Sequence, residues 1–214
     1  MGDLQCAVRV LCARHAAAED GPGPAGDDQP LTQTGCAQAD RLGRRLATQR
    51  VAHVYTSPLR PARETATRVA ESLQIRSTVD DRLSELTAGA ADTSADPDGA
   101  DPDDADPDGA ERVTDAVRAW LDGDLARPAA GGETGQQVVA RLSGVLEEVA
   151  DLHRGETVLL VTHGGLLTLG LTVLSANLKP AWVSQRELGN TDLVDMRYDG
   201  DGWVCGSWAG DVPR

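Results

Sequence analysis

Apolar and polar positions repeat along this chain with two different periods. Val8–Ala13, Val51–Thr56, Ile75–Val79 and Thr157–Thr162 are short, mostly aliphatic runs, which predict buried strands. Between them the 3.6-residue period of amphipathic helices recurs. It runs through Cys36–Gln49, with Ala39, Leu42 and Leu46 on one face, and through a segment opened by Ser57-Pro58 and reaching Leu73. Val113–Leu121, Val138–Leu152 and Leu166–Leu174 follow. Thr32 or Thr34 is placed to cap the first helix, and proline suits the first turn of the second. Leu193–Tyr198 and Trp203–Trp208, separated by Asp199-Gly200-Asp201-Gly202, predict a hairpin. Strands alternating with helices predict an α/β fold: a three-layer α/β/α sandwich around a mainly parallel sheet. The length of 214 residues fits one domain over residues 1–214.

One segment breaks both periods. Residues 87–110 are of low complexity, with three related stretches, Asp96-Pro97-Asp98-Gly99-Ala100, Asp101-Pro102-Asp103-Asp104-Ala105 and Asp106-Pro107-Asp108-Gly109-Ala110. They predict an extended, solvated acidic insertion loop. A calcium loop is the sharper alternative: Asp104, Asp106, Asp108 and Gly109 match the start of an EF-hand, with Asp115 at its twelfth position. Pro107 and Glu111 fit that pattern poorly. Residues 91–115 hold ten acids against Arg112 alone, so they carry −9 of the chain's net −14. The acidity is local and no basic stripe exists, which argues against nucleic acid as a partner.

Cys6, Cys12, Cys36 and Cys205 are scattered without a C-x-x-C spacing, which fits a reducing, cytoplasmic setting. Val158–Leu174 is long and apolar, but His163-Gly164-Gly165 interrupts it. Strand, turn and buried helix is the expected reading, with no membrane span. Trp182, Trp203 and Trp208 are expected to pack in the interior, and Trp120 is the candidate to cover a site.

The candidate chemistry sits at two strand exits. Arg14-His15 ends the first apolar run, and His163-Gly164-Gly165 ends the run Val158–Thr162. Ligands of open α/β sheets bind at the carboxyl ends of strands. Two imidazoles and a guanidinium there predict one anion-handling site. Of the other histidines, His53 carries no motif, and His153 reads as a cation near a helix C-terminus.

Six motifs then fall in order: Arg14-His15-Ala16; Leu31-Thr32-x-x-Gly35-x-x-Gln38-Ala39; Ser57-Pro58-Leu59-Arg60-Pro61-Ala62-x-x-Thr65-Ala66; Leu83-Ser84-Glu85; Gly132-Glu133-Thr134; and Thr162-His163-Gly164-Gly165. Together they resemble the histidine phosphatase superfamily, in its phosphoglycerate-mutase-like branch. The resemblance implies that His15 is the nucleophile that carries the phosphoryl group. Arg14, a protonated His163 and the N–H of Gly164 would bind its oxygens. Glu85 would protonate the leaving oxygen and then activate water. It implies no metal and no cofactor. Glu133 is expected to act only as a helix-start acid.

The chain departs from the family at Pro61, which stands where the second phosphate-binding arginine belongs. Arg60 is the candidate to swing into that place, with Arg63 on the other side. Ala16 replaces a glycine, and Gly21 an asparagine. The implied function is a metal-independent phosphatase of a small phosphomonoester. A catalytically impaired phosphate or phosphoprotein binder is the alternative. A phosphoglycerate-type mutase fits less well, since basic residues would be needed where Thr87–Ala110 is acidic.

Overall fold

The computed structural model describes residues 7–20, 29–86, 108–129, 132–198 and 200–213, with the backbone alone for 108–113. Among them, β1 (Arg9–Arg14), β2 (Val51–Thr56), β3 (Ser77–Val79), β4 (Thr157–Thr162), β5 (Leu193–Tyr198) and β6 (Trp203–Trp208) form one sheet. Its spatial order is β3-β2-β4-β1-β5-β6. The first four strands are mutually parallel, and β5 and β6 add an antiparallel hairpin at one edge. The helices are α1 (Gln33–Leu46), α2 (Arg60–Leu73), α3 (Asp108–Leu121), α4 (Gly135–Leu152), α5 (Gly164–Leu174) and the short α6 (Pro180–Val183). A single 3₁₀ turn spans Asp81–Leu83.

Strand alternation divides the interior into two cores, because successive side chains leave a strand on opposite faces. Val10, Cys12, Val158 and Leu160 join α4 and α5 residues such as Leu142, Leu146 and Leu167 on one face. Leu11, Ala13, Leu159 and Val161 join Leu42 and Leu46 of α1 and Ala62, Ala66 and Val69 of α2 on the other. Central strands buried on both sides explain why β1 and β4 read as unbroken apolar runs.

Several boundaries differ from expectation, each for a local reason. α1 starts earlier than Cys36 because Thr32 is its cap, with Oγ1 accepting from Gly35 N at 2.9 Å. α2 starts at Arg60, so Pro61 falls in the first turn. α3 begins at Asp108, so residues 108–110, expected as loop, are helical. Asp108 and Gly109 therefore lie in a first helical turn rather than in mid-loop, and Asp115 is in the same helix, which contradicts the EF-hand alternative. Asp104, Asp106 and the rest of 87–107 lie outside the described residues, as does Gly21. Trp120 belongs to the core: it is 1% exposed, and its Nε1 donates to Arg127 O at 2.6 Å. Trp203 and Trp208 are buried as expected, and Trp182 is stacked under Arg186. Among the described residues no helix is long and apolar enough to cross a membrane.

Leu142 of α4 is fully buried and fills the space where a Cβ would stand on Gly170 of α5. Leu142→Ala is therefore expected to cost about 2–5 kcal/mol, read as a lower urea midpoint with an unchanged denaturant slope.

Candidate active site

The site begins with a register. β1 and β4 are parallel neighbours in which Arg14 pairs with Thr162. The next residue on each strand is a histidine, so both imidazoles leave the sheet side by side. Their ring centroids are 5.1 Å apart, tilted by 58°.

His15 is fixed through its backbone. Its N–H donates to Thr162 O at 2.8 Å, and its carbonyl accepts from Asn190 Nδ2 at 3.0 Å. The following N–H, of Ala16, donates to Thr65 Oγ1 on α2 at 3.0 Å. The second sequence motif converges on the next residue: Gln38 Oε1 accepts from Ala17 N at 2.8 Å, and Thr32 N donates to Ala17 O at 3.0 Å. Gly35 is required there, because a Cβ would collide with that same carbonyl. The His15 ring is held as well. Its Nδ1 lies 2.8 Å from Ala16 O, so Nδ1 carries the proton and Nε2 keeps its lone pair. Burial lowers the pKa of His15, and Arg14 adds to this, against the Ala16 bond, which raises it.

Arg14 donates from Nη1 to Leu188 O at 2.7 Å. Its Nε is buried with no hydrogen-bond partner among the described residues. A buried donor left unmet costs about 1–3 kcal/mol, a cost that an oxygen of a bound anion would remove. Gly164 lies beside it, with room for no more than ordinary contact between a Cβ and the guanidinium. As the first residue of α5, Gly164 has no intrahelical acceptor for its N–H.

His163 is 3% exposed and occupies the N-cap position of α5. Its Nε2 is 2.8 Å from Ser57 Oγ, which also accepts from Leu59 N at 3.2 Å. The hydroxyl proton is thus left to point at the imidazole, and Nδ1 carries the ring proton. Burial first, then the fields of His15, Arg141 and Arg14, pull the pKa of His163 down to about 3. Burial thus works against the protonated His163 that the family resemblance implies, because a cation is poorly solvated there. An incoming anion reverses that balance by supplying the opposite charge.

Glu85 follows the 3₁₀ turn, and its carboxylate sits over the start of α5. Oε1 accepts from Leu166 N and Leu86 N, both at 2.9 Å, and Oε2 from Gly165 N at 3.1 Å. A Cβ on Gly165 would stand 2.8 Å from Glu85 Oε1, so a glycine there lets the carboxylate approach. Glu133 does more than favour a helix start, since it pairs with Arg141 at 2.8 Å. Arg60 is not drawn into the group. Its Nε donates to Glu64 Oε1 at 2.7 Å, and Glu64 Oε2 in turn accepts from Leu31 N at 2.9 Å. It forms no hydrogen bond with Arg14, His15 or His163. Pro61 is buried, with its carbonyl accepting from Thr65 Oγ1 at 2.6 Å.

The structure thus brings Arg14, His15, Glu85, His163 and Gly164 together and leaves Arg60 at the side. Sequence reasoning missed Ser57, Asn190 and Arg141 as parts of the site. Ser57 stood inside a motif and could have been found. Asn190 and Arg141 carried no local signal.

Adjacent histidines at strand exits, a half-buried arginine and a helix start thus come together at one end of an α/β sheet. The sequence profile of the histidine phosphatase superfamily (branch 1) matches residues 10–211, and the chain belongs to that family. A probable phosphoglycerate mutase, GpmB, of Salmonella choleraesuis (strain SC-B67) is 30% identical over 194 residues, covering 86% of this chain and 83% of its own. Among solved structures, YhfR of Bacillus stearothermophilus superposes with a TM-score of 0.71 at 27% identity, over 96% of this chain and 98% of its own. A mycobacterial glucosyl-3-phosphoglycerate phosphatase shares the fold with a TM-score of 0.71 at 23% identity, over 96% of this chain and 100% of its own.

The neutral His163 makes a spectroscopic prediction. Its ring proton shifts should stay flat from pH 8 down to about 4 in the free protein, and move when vanadate is added. The same group affects stability. Its folded pKa of about 3 lies below the ordinary value of about 6.5, so the unfolded chain binds more protons between these limits. Its contribution to stability is therefore present above about pH 6.5 and lost as the pH falls toward 3. His163→Asn should flatten that part of the acid denaturation curve.

Proposed function

We propose that this protein hydrolyses a small phosphomonoester through a phosphohistidine on His15, without a metal ion. The observation that carries this reading is the His15 ring itself. Its Nδ1–H donates to the Ala16 carbonyl, which leaves the Nε2 lone pair available in a ring 5.1 Å from that of His163. Family membership and the phosphatases among its structural neighbours support a phosphoric monoester hydrolase.

In the first step the Nε2 lone pair forms a bond to phosphorus as the bond to the leaving oxygen breaks, and Glu85 gives that oxygen its proton. In the second, Glu85 takes a proton from water, the water oxygen bonds to phosphorus and the N–P bond breaks. Phosphate leaves and His15 is restored. Charge spreads over three oxygens in each transfer. Arg14 Nε, the Gly164 N–H and Nδ1–H of His163 are fixed donors for them, and their fixed placement is what lowers the barrier. The guanidinium supplies the positive charge that a metal would otherwise bring. The free thiols of Cys12, Cys36 and Cys205 suit a cytoplasmic setting.

Two observations bear on other readings. The curated relative is named a mutase, but the stretch 91–115 carries ten acids and one base, where gripping a second anionic group calls for basic residues. Pro61, with Arg60 engaged by Glu64, favours a weaker phosphate site and so the impaired-binder alternative.

Hydrolysis of 4-nitrophenyl phosphate is expected, unchanged by EDTA. His15→Ala should lower kcat by about a thousandfold or more, and radiolabelled phosphate trapped on the wild type should be labile to acid and stable to base. Activity lost in EDTA and restored by a divalent ion would refute this mechanism; absence of turnover with intact phosphate binding would favour the binder.

Pro61→Arg gives a separate check. A guanidinium at that buried position adds a bidentate contact worth about 1.5–3 kcal/mol, so inhibition by inorganic phosphate should tighten by about tenfold or more.

A further inference from the structure

The four carbonyls from Arg82 to Glu85 all accept from side chains of other elements. Arg141 Nη1 donates to Arg82 O and to Ser84 O, both at 2.7 Å, and Nη2 donates to Glu85 O at 3.2 Å. The fourth, Leu83 O, accepts from Thr162 Oγ1, the residue just before His163. Arg141 reaches this turn from the second turn of α4, with its side chain 15% exposed. Glu133 holds the other edge of the fork, accepting from Nε at 2.8 Å and from Nη2 at 3.1 Å.

Only a planar guanidinium can serve this geometry, because it presents donors along two edges at fixed angles. An ammonium has three donors on one atom and could not span three carbonyls and a carboxylate. The carbonyls are held by these side chains of α4 and β4, so without the Arg141 bonds three of them would turn toward water and carry Glu85 with them.

We propose that Arg141, clamped by Glu133, is a positioning residue for Glu85, setting where its carboxyl meets the leaving oxygen. The proposal rests on the reading of Glu85 as the proton donor. A donor displaced by an ångström loses most of its effect, and the proton transfer at stake is worth about a hundredfold or more. That loss should depend on the leaving group. An alkyl phosphate expels a basic alkoxide and needs the proton, whereas 4-nitrophenyl phosphate expels a stable phenolate and scarcely needs it.

The test measures kcat/KM for glycerol phosphate and for 4-nitrophenyl phosphate in the full-length wild type, Glu85→Gln, Arg141→Met, Arg141→Lys and Glu133→Gln proteins, and in the Glu85→Gln/Arg141→Met double variant. Arg141→Met is expected to lose about a hundredfold on the alkyl ester and only a few-fold on the aryl ester. Arg141→Lys should resemble it, since the charge is kept and the fork is not. The double variant should be no worse than Glu85→Gln alone. Glu133→Gln keeps the shape of the clamp and should give a smaller loss of the same selectivity; it tests the idea if the Arg141 variants do not fold. Equal losses on both esters, full rescue by lysine, or additive losses in the double variant would overturn the proposal. If Glu85→Gln itself shows no selectivity, the assignment of Glu85 fails first and the proposal falls with it.

Discussion

One pairing across two parallel strands governs the site. Arg14 opposite Thr162 decides that the residues after them, His15 and His163, emerge as neighbours. A slip of one residue in either strand would exchange the buried and facing sides of every position along it. Both strands are covered by helices on both faces, so each side chain of β1 and β4 votes for the same register. The two separate cores are thus the means by which the imidazoles are held 5.1 Å apart.

Around that pair the protein places hydrogen bonds rather than charges. The His15 ring is oriented by a carbonyl of its own chain, and the His163 ring by the Ser57 hydroxyl. A hydroxyl can donate to a neutral imidazole or accept from a protonated one. Ser57 therefore satisfies His163 in both states, and the buried ring can gain a proton without losing its partner. The charges nearest the site are themselves engaged: Arg14 with Leu188, and Glu85 with three backbone N–H groups. What remains for a ligand is a small set of fixed donors.

The fold was largely legible because β1, β4 and the β5–β6 hairpin carry strong apolar patterns that tertiary packing only reinforces. His15, His163 and Glu85 were legible because they stand in short motifs. Helix starts were less so: a cap such as Thr32 lies outside the apolar period it begins, and α3 starts within a run of acids that reads as loop. The protonation of His163 was invisible, since it depends on burial and on the fields of His15, Arg141 and Arg14. Arg141 and Asn190 reach the site across about 56 and 175 residues of chain. Single-sequence patterns report local period and say nothing of such pairs.

The position of β1 in the sheet has a consequence for how the molecule is made. This strand is synthesised before the rest of the sheet, yet its two neighbours are β4, beginning at Thr157, and β5, beginning at Leu193. A growing chain therefore carries this central strand with both edges open until β4 has emerged, and with one edge open until β5 has. Such distant pairing slows folding and leaves an apolar strand exposed to other chains while it waits. Asn190 and Asp192, which bond the backbone of His15 and Arg14, are among the last residues of the site to be made. No earlier fragment of the nascent chain can hold the pocket together.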